Sequence, residues 1–376
     1  MQPRDETDLA EAIAGANGPL RIIGGGTRPV GKPVAGEALS TAALTGIEVY
    51  EPGALTIVVN AGTPVAEVEA ALAAENQRLA FEPMDHRPLL GTTGEPTIGG
   101  VVAANVSGPR RVTVGACRDF MLGVRFVTGE GQVAKNGGRV MKNVTGYDLV
   151  KLMTGSRGTL GVLTQVSLKV LPKPEETGVV GIEGLTPARA VEAMSAALGS
   201  PYDVSGAAHF PVSANDEPQT VIRVEGFSNS VAYRVGKLGD LLGRFGEVSA
   251  VTGLGPDDTS WRTARDVSLW EGGEEDVWRI VTRPSDAPGI VARLPEGAKF
   301  QLDWGGGLVW AACAPGTDLR ARLGPLNGAA TLVRASEATR AALPVFHPEP
   351  APVAALSARL RGQFDPRGVL NPGLMG

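Results

Sequence analysis

Cysteine and histidine are scarce: two cysteines, Cys117 and Cys313, and three histidines, His86, His209 and His347, in 376 residues. Two isolated thiols make neither a disulfide framework nor a C-x-x-C motif, and they fit a reducing, cytoplasmic setting. No two histidines lie close in sequence, and H-E-x-x-H and H-x-H are absent, which argues against a protein-built zinc or iron site. There is no G-x-S-x-G turn for a serine hydrolase. No apolar run approaches the roughly 20 residues of a bilayer span. The opening MQPRDETDL has no signal-peptide core. The formal net charge of -5 gives no electrostatic reason to bind nucleic acid.

Glycine (51 residues) and proline (28) are abundant, and alternating apolar runs separate them, so the chain reads as many strands joined by tight turns. One such run, LRII at 20–23, enters GGGTRPVGKP at 24–33. The stretch GTRPVGKP is one residue short of a triphosphate-binding loop: Pro33 stands where a magnesium-binding Ser or Thr is needed. It also fails as a dinucleotide fingerprint, which needs glycine at Pro29. Two readings stay open for the loop itself. Its successive N–H groups form a nest for an anion, or it is a tight turn and nothing more.

Along the chain, Thr7 is placed to cap a helix over 8–16, and 56–61 reads as a strand. Thr63 is placed to cap a helix over 65–76 with Pro64 at its first position and Val65, Val68 and Leu72 on one stripe. Residues 81–138 hold too many glycines for helix and read as a long loop followed by a hairpin, with the turn at GEG (129–131); such loops are usually functional. From 179 the pattern changes. Strands at 179–183, 204–210, 220–227 and 248–253 and helices at 187–199 and 231–245 give β-α-β-β-α-β. A bridging helix at 257–270 follows, and the order recurs over 277–335. Two split βαβ units of ferredoxin-like order predict an internally duplicated α+β domain.

Six blocks then occur in sequence: GGGT at 24–27, EP at 82–83, TIGG at 97–100, G-x-x-RDF-x-LG at 115–123, NVTGYDLVKLMTGSRGTLGVLTQVSLKVLP at 143–172 and FDPRGVLNPG at 364–373. Together they resemble the FAD-binding domain of the vanillyl-alcohol oxidase / p-cresol methylhydroxylase family, over roughly residues 1–174 and the C-terminal tail. The wording GPRR at 108–111, VMKNVTGYDL at 140–149 and DWGG at 303–306 is most similar to the FAD-binding subunits of glycolate oxidase (glycolate dehydrogenase). The resemblance implies an α+β fold with a two-subdomain FAD-binding domain at 1–174. A cap domain with two ferredoxin-like βαββαβ units occupies 175–345, and a tail at 346–376 returns to the FAD domain.

The resemblance also implies site residues. Gly24, Gly25, Gly26 and Thr27 would wrap the FAD pyrophosphate with backbone amides, leaving Lys32 at the surface. Pro83, after Glu82, would border the flavin ring and ribityl chain. Thr97, Ile98, Gly99 and Gly100 would meet the ribityl and pyrimidine part, with Gly108 and Gly115 in the matching turn. Gly158, Leu160, Gly161 and Val162 would meet the adenine half, and Asn371 would fold back to the flavin. Residues 21–31 contain neither histidine nor cysteine for a covalent flavin link, so FAD is expected to be noncovalent.

The implied function is that of a flavoprotein subunit in a complex oxidising glycolate or a related 2-hydroxy acid. Its partners would be a second FAD subunit and an iron–sulfur subunit that leads electrons to the membrane. The cap lacks the metal-binding histidines and H-x-G-D-G-N motif of single-chain relatives, and its one mid-domain histidine is His209. Arg110, Arg111 and Arg118 are candidates to hold a substrate carboxylate, a partner or the FAD phosphates, and Asp303 and Trp304 are candidates to line the flavin or a subunit contact. No catalytic residue is assigned. A self-sufficient FAD-dependent oxidoreductase and a non-catalytic FAD-fold scaffold are the alternatives.

Overall fold

Residues 1–140, 146–212, 217–255 and 261–375 are described in the computed structural model. Contacts divide them into one unit of Met1–Ser107, Gly115–Pro172 and Pro348–Gly376 and another of Gly108–Val114 and Lys173–His347.

The first unit contains strands β1 (Leu20–Ile23), β2 (Glu37–Ser40), β3 (Ile47–Glu51), β4 (Thr56–Asn60), β5 (Gln77–Arg78), β6 (Met121–Val127), β7 (Val133–Gly137), β8 (Val162–Lys169) and β9 (Leu171–Pro172). An antiparallel sheet runs β3-β4-β8-β6-β7, β1 and β2 form a parallel pair, and β5 and β9 form a short ladder. The central strands β4, β6 and β8 are buried along nearly their whole length.

Beside β1, the helix Glu6–Ala14 buries Leu9 and Ile13 against Leu20, Leu39, Val127, Val162, Val369 and Leu370. The C-terminal residues enter this core by running parallel to β1: Leu20 N donates to Val369 O at 2.7 Å, and Asn371 N donates to Leu20 O at 3.0 Å. The carboxylate of Asp365 holds the turn by accepting from Val369 N and Leu370 N.

Three local expectations change here. The first helix is capped by Asp5, which accepts from Asp8 N, and not by Thr7, which lies inside the first turn. Helix Val65–Ala74 has Pro64 at its cap, because the Thr63 hydroxyl is spent on Asn60 O and Gly46 O. The region read as loop contains a helix, Ile98–Ala103, despite its two glycines. Gly99 is needed there: a Cβ would stand 2.6 Å from both Ala61 O and Ala61 Cβ, so only glycine lets the helix approach the end of β4.

The second unit contributes β10 (Glu176–Glu183), β11 (Val204–Phe210), β12 (Gln219–Gly226), β13 (Val248–Leu254), β14 (Asp276–Val281), β15 (Lys299–Asp303), β16 (Leu308–Cys313) and β17 (Ala329–Arg334). They form one sheet, β13-β10-β12-β11-β15-β16-β14-β17, antiparallel throughout. Numbering the strands of each half 1 to 4, the order is 4-1-3-2 followed by 2-3-1-4: two ferredoxin-like halves joined edge to edge at β11 and β15, where His209 pairs with Leu302. Helices Pro187–Leu198 and Ser228–Leu242 belong to the first half, and their buried stripes (Val191 and Met194; Val231, Val235 and Leu238) follow helical spacing. The expected bridging helix lies partly outside the described residues. What is described is a helix at Arg262–Asp266 and a short turn at Ser268–Trp270.

Candidate functional site

In the first unit, β1 ends at Ile23 and delivers Gly24, Gly25 and Gly26 against the segment that leads into helix Ile98–Ala103. A Cβ on Gly24 would meet Thr97 Oγ1 at 2.7 Å, and one on Gly25 would overlap the carbonyl of Glu95. Gly94 opposes Gly25 in the same way, its added Cβ overlapping Gly25 O. Two glycine backbones thus pass in direct contact, which no side chain permits. Gly26 differs: its φ of +72° is a left-handed conformation, and the space beside its Cα is open. Thr27 is buried, and its carbonyl accepts from Thr92 Oγ1 at 3.1 Å.

Thr97 caps the helix, accepting from Gly100 N at 3.2 Å. Ile98 N donates to Thr63 O and Gly99 N to Ala61 O, tying the helix start to the end of β4. At the other end of the helix, Gly155 N donates to Val102 O and Arg157 N to Ala103 O. Gly158, with φ +72°, lies 3.5 Å, by its would-be Cβ, from Ile22 and 3.1 Å from the Asn371 amide. Asn371 uses both ends of that amide: Oδ1 accepts from Ile22 N at 2.8 Å and Nδ2 donates to Arg157 O at 2.9 Å.

Gly24, Gly25, Gly26, Thr27, Thr97, Ile98, Gly99, Gly100, Gly158 and Asn371 therefore converge around the end of β1. Pro83 is buried and follows Glu82, whose φ is +46°. Further along this segment, Arg87 binds Asp85 and reaches Glu95 at 3.2 Å, and Glu95 is the residue that abuts Gly25. Gly115, with φ +94°, turns against Asp119, whose carboxylate accepts from Ala116 N at 2.8 Å. Leu160, Gly161 and Val162 point inward instead. Val162 packs in the Leu9–Ile13 core, and a Cβ on Gly161 would strike the Phe126 ring at 2.7 Å. Gly108 lies in the other unit, where its carbonyl accepts from Trp304 Nε1 at 3.1 Å. Lys32 is half-buried and its backbone N donates to Leu374 O at 3.0 Å.

The sequence reading passed over Arg28. Its Nη1 donates to Gly100 O at 2.6 Å, its Nε is buried without a partner, and burial pushes its pKa down to about 10. The only available signal was a cation placed directly after a glycine turn.

In the second unit, Arg110 is occupied: its Nε donates to Glu225 Oε2 at 3.0 Å and its Nη2 binds Oε1, both side chains being buried. Arg111 and Arg279 both stand over the indole of Trp304, at 4.8 and 5.0 Å from the ring centroid. Burial and the neighbouring Arg111 push the Arg279 guanidinium down to about 10, against the pull of Asp303. Trp304 itself has φ +54° and is followed by Gly305 and Gly306 at +66° and +99°. Asp303 Oδ1 accepts from Trp304 N at 2.6 Å and holds the turn. Arg118 belongs to the first unit and its side chain is exposed.

His209 is fully buried. Its Nδ1 lies 3.0 Å from Thr220 Oγ1, and burial holds its pKa down at about 4, so it is a neutral core residue. Among the described residues no group of three or more His, Cys, Asp or Glu could hold a metal ion.

The profile of a family described as FAD binding domain matches residues 1–137. The glycolate oxidase subunit GlcE of Escherichia coli is 36% identical over 362 residues, covering 95% of this chain and 92% of the relative. A D-lactate dehydrogenase of Archaeoglobus fulgidus is 30% identical over 188 residues, 48% of this chain and 40% of the relative. Among solved structures, alkyldihydroxyacetonephosphate synthase superposes over 99% of this chain and 75% of its own with a TM-score of 0.71 at 16% identity. A VAO-type flavoprotein from Myceliophthora thermophila superposes over 98% and 77% with a TM-score of 0.65 at 14% identity.

Proposed function

The chain belongs to the family of the glycolate oxidase subunit GlcE, FAD-dependent oxidoreductases with the p-cresol methylhydroxylase type of fold, and from that premise we propose that it is the flavoprotein subunit of a glycolate-oxidising complex. In this reading a second FAD subunit carries the acid-oxidation site and an iron–sulfur subunit accepts the electrons. The observation that carries the reading is identity to the GlcE subunit along nearly the full length of both chains. No helix in the described residues is long and apolar enough to cross a membrane.

The residues around the end of β1 fit FAD. Gly26 leaves open space in its turn, and Arg28 presents a guanidinium whose buried Nε has no partner. Both suit a diphosphate. Gly24, Gly25, Gly26, Thr27 and the Thr97–Gly100 segment would hold it, and the flavin would supply the redox chemistry when bound. The chain's own part is to bind and orient the cofactor. With no histidine or cysteine in 21–31, the binding is noncovalent in this reading.

One observation favours a second reading, in which this chain also oxidises the acid. Arg111 and Arg279 place two cations on one indole with Asp303 as the nearby carboxylate, an arrangement that suits a small carboxylate. The deciding experiment is an absorption spectrum of the chain purified alone, before and after anaerobic glycolate. A flavin band that stays oxidised supports the subunit reading. One that bleaches supports the second. If no flavin band is present and added FAD does not bind, the cofactor role proposed for these residues is wrong.

A further inference from the structure

We propose that Arg28 is the charge partner of the FAD diphosphate, a side-chain contact added to a binding loop otherwise made of backbone amides. The inference rests on the FAD reading of the glycine loop.

Several other arginines of the first unit pair with a carboxylate. Arg87 binds Asp85 and Glu95, Arg125 binds Glu6, and Arg4 binds Asp8, while Arg367 donates to the carbonyls of Ile13, Ala14 and Ala16. Among the described residues the Arg28 side chain donates to the neutral carbonyl of Gly100, and its Nε is buried with no partner. The carboxylate that acts on it, Asp85, is engaged by Arg87 through both oxygens. A guanidinium whose buried Nε has no partner is costly, and an arriving anion offsets that cost.

Position selects the anion. Arg28 directly follows the Gly24–Thr27 turn, and the Gly100 carbonyl fixes its Nη1 at the start of the helix that this turn packs against. The diphosphate is the part of FAD that is charged in every redox state, so it compensates a permanent cation permanently. A guanidinium in such a place offers paired donors to phosphate oxygens.

The full-length chain, freed of flavin, is titrated with FAD for wild type, Arg28→Gln and Arg28→Lys, and the midpoint potential of the bound flavin is measured at saturating FAD. Arg28→Gln is expected to weaken FAD by about 10- to 100-fold, the usual weight of a charge-assisted contact. Arg28→Lys should fall between, since it keeps the charge and loses the fork. The midpoint potential should match wild type in both. Unchanged FAD affinity in the variants overturns the proposal. So does a displaced midpoint potential, which would put Arg28 at the flavin ring. If Arg28→Gln fails to fold, Arg28→Lys decides by the same two readouts. A wild-type chain that binds no FAD removes the cofactor reading itself, a different result from variants that bind it equally well.

Discussion

At the scale of the residue, the glycines of the 24–26 turn do different jobs, and substitution should separate them. Gly25→Ala places a methyl group onto the Glu95 carbonyl and forces two backbones apart, so it should cost more than about 3 kcal/mol in a urea titration. Gly26→Ala meets nothing within 4 Å and bears only the left-handed backbone penalty of about 1 kcal/mol. If the two variants are equally stable, the contact with Glu95 is not what makes Gly25 necessary.

His209 sets a second residue-scale expectation. Its folded pKa of about 4 lies below the unfolded value of 6.5, so on acidification the unfolded chain takes up the proton first. Its contribution is complete above pH 6.5 and drains away as the pH falls toward 4, by on the order of 3 kcal/mol in total. His209→Gln should flatten the melting temperature across that window. An unchanged acid slope would place the titrating group elsewhere.

At the scale of the element, Asn371 joins three segments that are remote in sequence. It links β1 through Ile22, the 157–158 turn through Arg157 O, and the C-terminal tail that carries it. Asn371→Ala leaves two partly buried backbone groups without partners, which should cost about 2–4 kcal/mol. The loss should show in hydrogen exchange at the amide of Ile22. The side-chain amide of this asparagine is bonded to protein at both ends. The sequence offered the motif LNPG and no means to see which backbone it would reach.

At the scale of the whole molecule, FAD binding and stability are linked. A noncovalent ligand at 100 times its dissociation constant should add about 2.7 kcal/mol to unfolding, and denaturation should release all of the flavin into the filtrate. Yellow colour remaining with the denatured chain would demonstrate a covalent link.

The sequence by itself determined what depends on local chemistry and order along the chain. Two rounds of β-α-β-β-α-β were legible because apolar spacing reports which face each element buries, and the single eight-stranded sheet carries two ferredoxin-like halves. The glycine turn after LRII was legible because only glycine permits so close a backbone approach. Tertiary structure alone decided the joining of those halves through β11 and β15, since edge pairing has no signature in either strand. It decided that a glycine-bearing stretch becomes the helix Ile98–Ala103, because contact with Ala61 outweighs helix propensity. It also decided what each arginine meets. Arg110 meets Glu225 and Arg28 donates to the Gly100 carbonyl, and contact between residues about 70 to 115 positions apart is a property of space, which spacing along the chain does not encode.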